Sequence, residues 1–295
     1  MKIKILYEDS NILAIDKPSG ISVHPDGKTK EKTITDWILK NYPKLKRIGE
    51  PFKISWTSEE AQNFSSCALP RIQGGTLGDK NFELLPRPGI VHRLDKETSG
   101  VLIIAKTKKA FAYFKEQFMN REIKKTYYAI VSGWVKNDHG IINKPIGRSP
   151  SDFRRRLAGR GVRGKLREAV TEYKVLKRFT APVSKIFSSC ALPRVQSGTL
   201  GDKKFQTPAL EDKFSYLEIH PKTGRTHQIR VHMKFINHPV VCDSLYNPNG
   251  FCPKGLNRLA LHAKSIEFKN PKGKFMKIES PLPKEFKRAC PVLNF

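Results

Sequence analysis

A chain of 295 residues with 38% hydrophobic and 28% charged residues holds enough apolar material for one large globular domain or two ordinary ones. Its 55 lysines and arginines against 27 aspartates and glutamates leave a formal charge of +28. A compact chain repels itself at that charge, which argues against small neutral substrates and for a polyanionic partner, nucleic acid before an anionic membrane surface.

In chain order, residues 5–9 and 12–16 read as two strands joined by a Ser10-Asn11 turn and ending at Lys17-Pro18. Residues 101–105 form an unbroken apolar run of the buried-strand type. Over 108–121 the spacing puts Phe111, Phe114 and Phe118 on one helical face, which makes these rings core rather than base-stacking groups. Strands are expected at 126–135, 171–176 and 214–220, a short helix at 226–236 with Thr226 as its cap, and an alternating strand at 259–268. The stretch 148–167 carries Arg154, Arg155, Arg156, Arg160, Arg163 and Lys165 among Gly159, Gly161 and Gly164; it reads as a flexible basic loop that folds against phosphates. Strands and helices without a regular strand–helix–strand rhythm indicate an α+β fold, taken as one domain over 1–295.

One segment occurs twice. FSSCALPRIQGGTLGDKNF at 64–82 returns at 187–205, changed only at Ile72 to Val195, Gly74 to Ser197 and Asn81 to Lys204. Two distant copies do not make a solenoid. Both are rich in Ser, Gly and Pro and lack helical or strand periodicity, so they read as loops within inserts at about 52–86 and 181–212, tolerated because added loop length costs little. They resemble the peptides that mobile palindromic elements leave in bacterial reading frames.

Five cysteines (Cys67, Cys190, Cys242, Cys252, Cys290) contain no Cys-x-x-Cys pair, which argues against a zinc ribbon. With no secretory leader and no long apolar run, the expected compartment is the cytoplasm, without membrane association.

Two polar clusters carry the chemistry. The first, 87–100, contains His92-Arg93-Leu94-Asp95-Lys96 just before an apolar strand, a loop delivered by a rigid element. Asp95 among three basic residues would stay ionised and nucleophilic, although a loop-capping or surface-paired aspartate fits the residues as well. The second, 221–232, contains Gly224-Arg225-Thr226-His227-Gln228-Ile229-Arg230-Val231-His232. Its arginines could pair with a carboxylate or hold a phosphate. No Glu follows His227, the metalloprotease pattern is absent, and no metal is expected. Tyr127 and Tyr128 face opposite sides of a strand, one to the core and one able to stack on a base.

His92-Arg93-Leu94-Asp95-x-x-Thr98-Ser99-Gly100, then Lys124-Lys125-Thr126-Tyr127, then Gly224-Arg225-Thr226-His227-Gln228-Ile229-Arg230-Val231-His232 resemble, in content and order, the RluA-type pseudouridine synthase family. Ile12 through Gly20 and Ala169-Val170-Thr171-Glu172-Tyr173 fit the same pattern, so the resemblance runs from Ile5 to about Phe268, inserts excepted. It implies a mixed, largely antiparallel sheet flanked by helices and an RNA uridine isomerase that needs no cofactor. It further implies Asp95 as nucleophile, Tyr127 stacked on the target base, Arg230 paired with Asp95 and Ile229 in the uracil pocket. Arg93 would enter the RNA stack as the nucleotide is flipped, with His92, Arg225 and His227 as further substrate contacts. The expected substrate is structured RNA, large-subunit ribosomal RNA first and transfer RNA as the alternative, acted on by a monomer. Many relatives carry an S4-like domain ahead of the catalytic one; none is expected here, since the chain starts almost at the first strand. A non-catalytic RNA-binding or ribosome-assembly protein on the same scaffold is the competing reading, opposed by the intact Asp95, Tyr127 and Arg230. A glycosidase using Asp95 and Glu97 is opposed by two carboxyls only two residues apart in one loop.

Overall fold

The structure is a computed structural model describing residues 1–25, 31–56, 76–77, 80–185 and 211–290. The chain begins with β1 (Lys4–Glu8), β2 (Ile12–Lys17), α1 (Ile34–Asn41), a 3-10 turn at Pro43–Arg47, β3 (Phe52–Trp56), β4 (Thr76–Leu77) and β5 (Lys80–Leu85). It continues with β6 (Ser99–Ala105), α2 (Lys108–Met119), β7 (Lys124–Ser132), β8 (His139–Asn143), β9 (Ile146–Arg148), β10 (Arg156–Ala158) and β11 (Arg163–Arg167). Then come β12 (Val170–Lys185), β13 (Glu211–Pro221), α3 (Gln228–Phe235), β14 (Phe251–Pro253), β15 (Leu261–Lys269), β16 (Phe275–Glu279) and α4 (Lys284–Ala289). These elements fall into two compact units, one of Met1–Thr126 with Ala263–Pro281 and one of Tyr127–His262 with Leu282–Phe295.

The first unit is built on a β-sheet in which β1 pairs antiparallel with β2 and β2 with β6, followed by β15 and the antiparallel partner β16. The β1–β2 turn is set by Asp9, whose Oδ1 accepts from Asn11 N and Ile12 N, both at 2.7 Å. All seven residues of β6 are buried, as its apolar run requires. Helix α2 starts at the cap Thr107, whose hydroxyl accepts from Ala110 N, and lays Phe114 into a core with Ile12, Ile103, Ile266 and Phe268. Phe111 and Phe118 pack at its margin, so the three rings are core groups as their spacing indicated. Helix α1, not foreseen, begins with a capping box between Thr33 and Asp36.

The second unit centres on the β12–β13 hairpin, in register from Thr171 opposite Pro221 to Pro182 opposite Glu211, with an irregularity at Leu176. β8 pairs along the outer side of β12, β7 along β13, and β14 with the last residues of β12, all antiparallel. Tyr216, Leu217, Ile219, Met233 and Phe286 fill its core. The fold class is α+β with few helices, as expected.

Three local expectations change. The basic stretch at 148–167 is not a flexible loop: β9 lies between β10 and β11 in a small antiparallel sheet. Positive-φ glycines at 159, 161 and 164 shape its turns. Thr226 is exposed and does not cap α3; that position belongs to His227, in the left-handed region with φ of 57°. The segment around the first repeat is not all loop, because β3 pairs with β5 and β5 with β4 at its two ends. At the second, β12 and β13 run on through 181–185 and 211–212. The second repeat copy and most of the first lie outside the described residues. Cys242 and Cys252 are joined as a disulfide, with Cα atoms 5.5 Å apart, a pairing their spacing did not reveal.

Candidate active site

Asp95 stands half-buried at the head of a tight turn in which Thr98 N donates to the Asp95 carbonyl at 3.1 Å. Leu94 before it and Thr98-Ser99 after it are buried, so both ends of the turn are pinned while Arg93 remains exposed. The turn is also held from beneath. Lys17, fully buried, donates from Nζ to the carbonyls of Pro18 (2.9 Å), Ile21 (2.8 Å) and Lys96 (3.0 Å). Ser19 Oγ donates to the Glu97 carbonyl at 2.6 Å and Gly20 N to the Lys96 carbonyl at 2.9 Å. An ammonium taken out of water is costly unless its donors are satisfied, so Lys17 binds the backbone beside Asp95 tightly. Gly100 leaves the turn with φ of 116°, and a Cβ there would collide with the Ala263 backbone. Only glycine fits that approach.

Two of the three basic residues around Asp95 in sequence are engaged elsewhere. Lys96 Nζ pairs with Glu31 at 2.6 Å. His92 Nε2 accepts from Ile103 N at 2.9 Å, and its ring stacks on Phe118 at 4.8 Å between centroids. Burial, with Lys125 adding repulsion, pushes His92 down to about 3, so it is a neutral group that ties the loop to β6. The sequence-based picture of three cations about the carboxylate is therefore corrected: His92 is uncharged and Lys96 is paired. Burial and Arg121 push Lys125 down to about 8.

In the second unit, Tyr127 and Tyr128 sit opposite Ile219 and Glu218 in the β7–β13 register. Tyr128 packs edge-on against Tyr216, with centroids 5.3 Å apart, so alternation turns the half-buried Tyr127 to the other face of β7. Ile229 is buried in the same apolar cluster that Tyr127 flanks. The turn before α3 is locked by Gln228. Its Oε1 accepts from Thr223 Oγ1 (2.6 Å) and Arg225 N (3.0 Å), while its Nε2 donates to the Val170 carbonyl (2.9 Å) and Thr171 Oγ1 (3.0 Å). Arg225 Nε donates to the Glu168 carbonyl at 2.9 Å. His232, with a lowered pKa caused by burial, is held between Thr171 Oγ1 and the Lys144 carbonyl. His227 Nδ1 lies 2.9 Å from the Tyr246 hydroxyl. Arg230 is buried and meets Asp243 side-on: Nε to Oδ2 and Nη2 to Oδ1, each at 2.7 Å. Among the described residues no group of three His, Cys, Asp or Glu is placed to hold a metal, and no helix is long and apolar enough to cross a membrane.

A family model described as RNA pseudouridylate synthase matches residues 76–235, more than half of the chain. That span carries Asp95, Tyr127 and Arg230 in one match. The chain belongs to the RNA pseudouridylate synthase family. A ribosomal large subunit pseudouridine synthase D of Xanthomonas campestris is 30% identical over 99% of this chain and 70% of its own length. An RNA pseudouridine synthase of Aquifex aeolicus is 34% identical over 97% of this chain and 71% of its own. The human RNA pseudouridylate synthase domain containing 1 superposes with a TM-score of 0.60 at 19% identity, covering 96% of this chain and 84% of that one, and supports the fold.

As a pseudouridine synthase the protein is an isomerase that acts on RNA. Sequence reasoning missed two residues that surround Arg230 in this synthase, Asp243 and Tyr246. A signal was present: Asp243 follows the apolar run Pro239-Val240-Val241-Cys242, and an acid in such a setting is buried only with a partner.

Proposed function

We propose that this pseudouridine synthase isomerises uridines of large-subunit ribosomal RNA in the cytoplasm, with Asp95 as the nucleophile. The observation that carries the reading is the Asp95 turn itself: a half-buried carboxylate whose neighbouring backbone is clamped by Lys17, Ser19 and Gly20. A nucleophile held by its backbone needs little reorganisation to attack. The target follows from relatives of Xanthomonas campestris and Borreliella burgdorferi whose names specify the large ribosomal subunit.

The glycosidic bond of a stacked uridine is out of reach, so the nucleotide is flipped from the helix, at a cost of a few kcal/mol. Exposed Arg93 is assigned to fill the vacated stack, Tyr127 to lie against the flipped base and Ile229 to line its pocket. The Asp95 carboxylate either bonds to ribose C1′ as the C1′–N1 bond breaks and uracil leaves with the bonding pair on N1, or adds to uracil C6. In the second route the C5=C6 pair passes onto the C4 carbonyl and the C1′–N1 bond breaks in a later step. The base turns and C5 bonds to C1′; the Asp95 bond is released, the C5 proton leaves, with Tyr127 assigned to take it, and N1 takes up a proton. Arg230 supplies a fixed positive charge, and Arg225 and His227 contact the RNA strand. The net +28 charge and the basic β9–β11 sheet supply phosphate affinity.

The test compares the wild type with Asp95→Asn on C5-tritiated RNA. The expected result is tritium release by the wild type and none by the variant at equal RNA binding; release by the variant would sink the nucleophile assignment. Pseudouridine mapping of total RNA with and without the gene should lose sites in large-subunit ribosomal RNA. Loss confined to transfer RNA would reassign the target.

A further inference from the structure

We propose that Asp243 and Tyr246 are positioning residues for Arg230, setting its guanidinium for catalysis and tying it to the basic β9–β11 sheet; this rests on the catalytic reading above. Asp243 is almost wholly buried and its carboxylate is saturated with donors. Oδ1 accepts from Arg230 Nη2 (2.7 Å), Leu245 N (3.0 Å) and Tyr246 N (2.9 Å), and Oδ2 from Arg230 Nε (2.7 Å). Two backbone amides fix the carboxylate plane and two parallel bonds fix the guanidinium plane to it, a geometry that one ammonium could not reproduce. The side-on grip directs the Nη1 edge of Arg230 away from Asp243.

Tyr246 closes the arrangement from another side. The Arg230 guanidinium carbon lies 5.0 Å from its ring centroid. Its hydroxyl accepts from Arg156 N in β10 at 2.9 Å and shares a 2.9 Å hydrogen bond with His227 Nδ1 at the head of α3. The ring also belongs to an apolar cluster with Ile146 of β9, Ala169 and Val231 of α3, flanked by Ala158 of β10. One side chain therefore touches Arg230, the cap residue of the Arg230 helix and the strand that carries the arginine-rich turn. Neither Asp243 nor Tyr246 has to touch the uridine to act in this way. Their effect is on where Arg230 is, and misplacement of a catalytic group by about 1 Å can cost on the order of 100-fold in rate.

The experiment measures single-turnover tritium release from C5-labelled ribosomal RNA, RNA affinity and thermal unfolding. Wild type, Asp95→Asn, Asp243→Asn, Tyr246→Phe, Arg230→Met and the doubles Arg230→Met/Asp243→Asn and Arg230→Met/Tyr246→Phe are compared. The expected result is a saturating rate about 100-fold lower for Asp243→Asn and about fivefold lower for Tyr246→Phe, with RNA affinity within about threefold. Each double should be no slower than Arg230→Met alone, because a residue acting only through Arg230 has nothing left to position. Losses that multiply in the doubles, or wild-type rates in both single variants, overturn the proposal. If Asp243→Asn does not fold, the Tyr246→Phe pair alone decides, since it keeps the ring. Failure of the underlying reading looks different: an inactive wild type or an active Asp95→Asn.

Discussion

Arg230 and Asp243 form a buried, side-on ion pair, with both nitrogen–oxygen distances at 2.7 Å and at most 5% of either side chain exposed. The resemblance implies Asp95 as a partner of Arg230; within the second unit the carboxylate that holds its Nε and Nη2 is Asp243. A pair of this kind is weak evidence of net stability, but breaking it leaves a buried charge without compensation.

Arg230→Met should therefore destabilise the fold by about 3–5 kcal/mol, read from urea unfolding, and leave only a residual single-turnover rate. Arg230→Lys keeps the charge but not the fork, so it should unfold at higher urea than Arg230→Met while remaining far slower than the wild type. Equal midpoints for the two variants would mean that the charge at this position is unimportant.

Lys17→Met takes the Nζ donor from the part-buried Pro18 and Ile21 carbonyls and leaves the Lys96 carbonyl with Gly20 N. The expected loss is about 3 kcal/mol of stability, with faster hydrogen exchange at Thr98 N, the amide that closes the Asp95 turn. Unchanged exchange there would show that Lys17 supports the strand end and not the turn.

Neutral His92 gives a stability contribution with a definite sign. Its pKa is about 3 in the folded protein against 6.5 ordinarily, so between those values the unfolded chain binds the extra proton. The contribution is complete above about pH 6.5 and lost progressively as pH falls towards 3. His92→Leu should be less stable at pH 7 and show a shallower decline in urea midpoint between pH 7 and 5; a parallel decline would contradict the neutral assignment.

Arg163, Lys165 and Arg167 are exposed on β11. Replacing all three with Glu should weaken RNA binding without changing thermal stability, and should lower the slope of log affinity against log salt by about 3. A parallel salt dependence would place the RNA elsewhere.

Gly100→Ala should fail to fold or lose the Asp95 turn, because its Cβ meets the Ala263 backbone, which cannot move aside as a flexible side chain would. A soluble, active Gly100→Ala enzyme would contradict the described approach of β6 and β15.

Much of this protein is legible along the chain. The periodicity of Phe111, Phe114 and Phe118, the apolar run of β6 and the Ser10-Asn11 turn are local patterns, and local patterns follow from backbone geometry and burial over a few residues. The His92-to-Gly100 loop and the Gly224-to-His232 segment are contiguous, so the family and its candidate nucleophile could be read from them directly. The arginines and glycines of 148–167 disclosed charge and turns but not the β9–β11 pairing, because partners on separate strands leave no signature in a window. What only the tertiary structure decided is who holds whom: Lys17 beneath the Lys96 carbonyl, His92 neutral against Phe118, and Asp243 with Tyr246 around Arg230. Those are contacts between residues far apart in sequence or across a turn, made where burial forces every charge and donor to find a partner, and composition cannot say which partner is within reach.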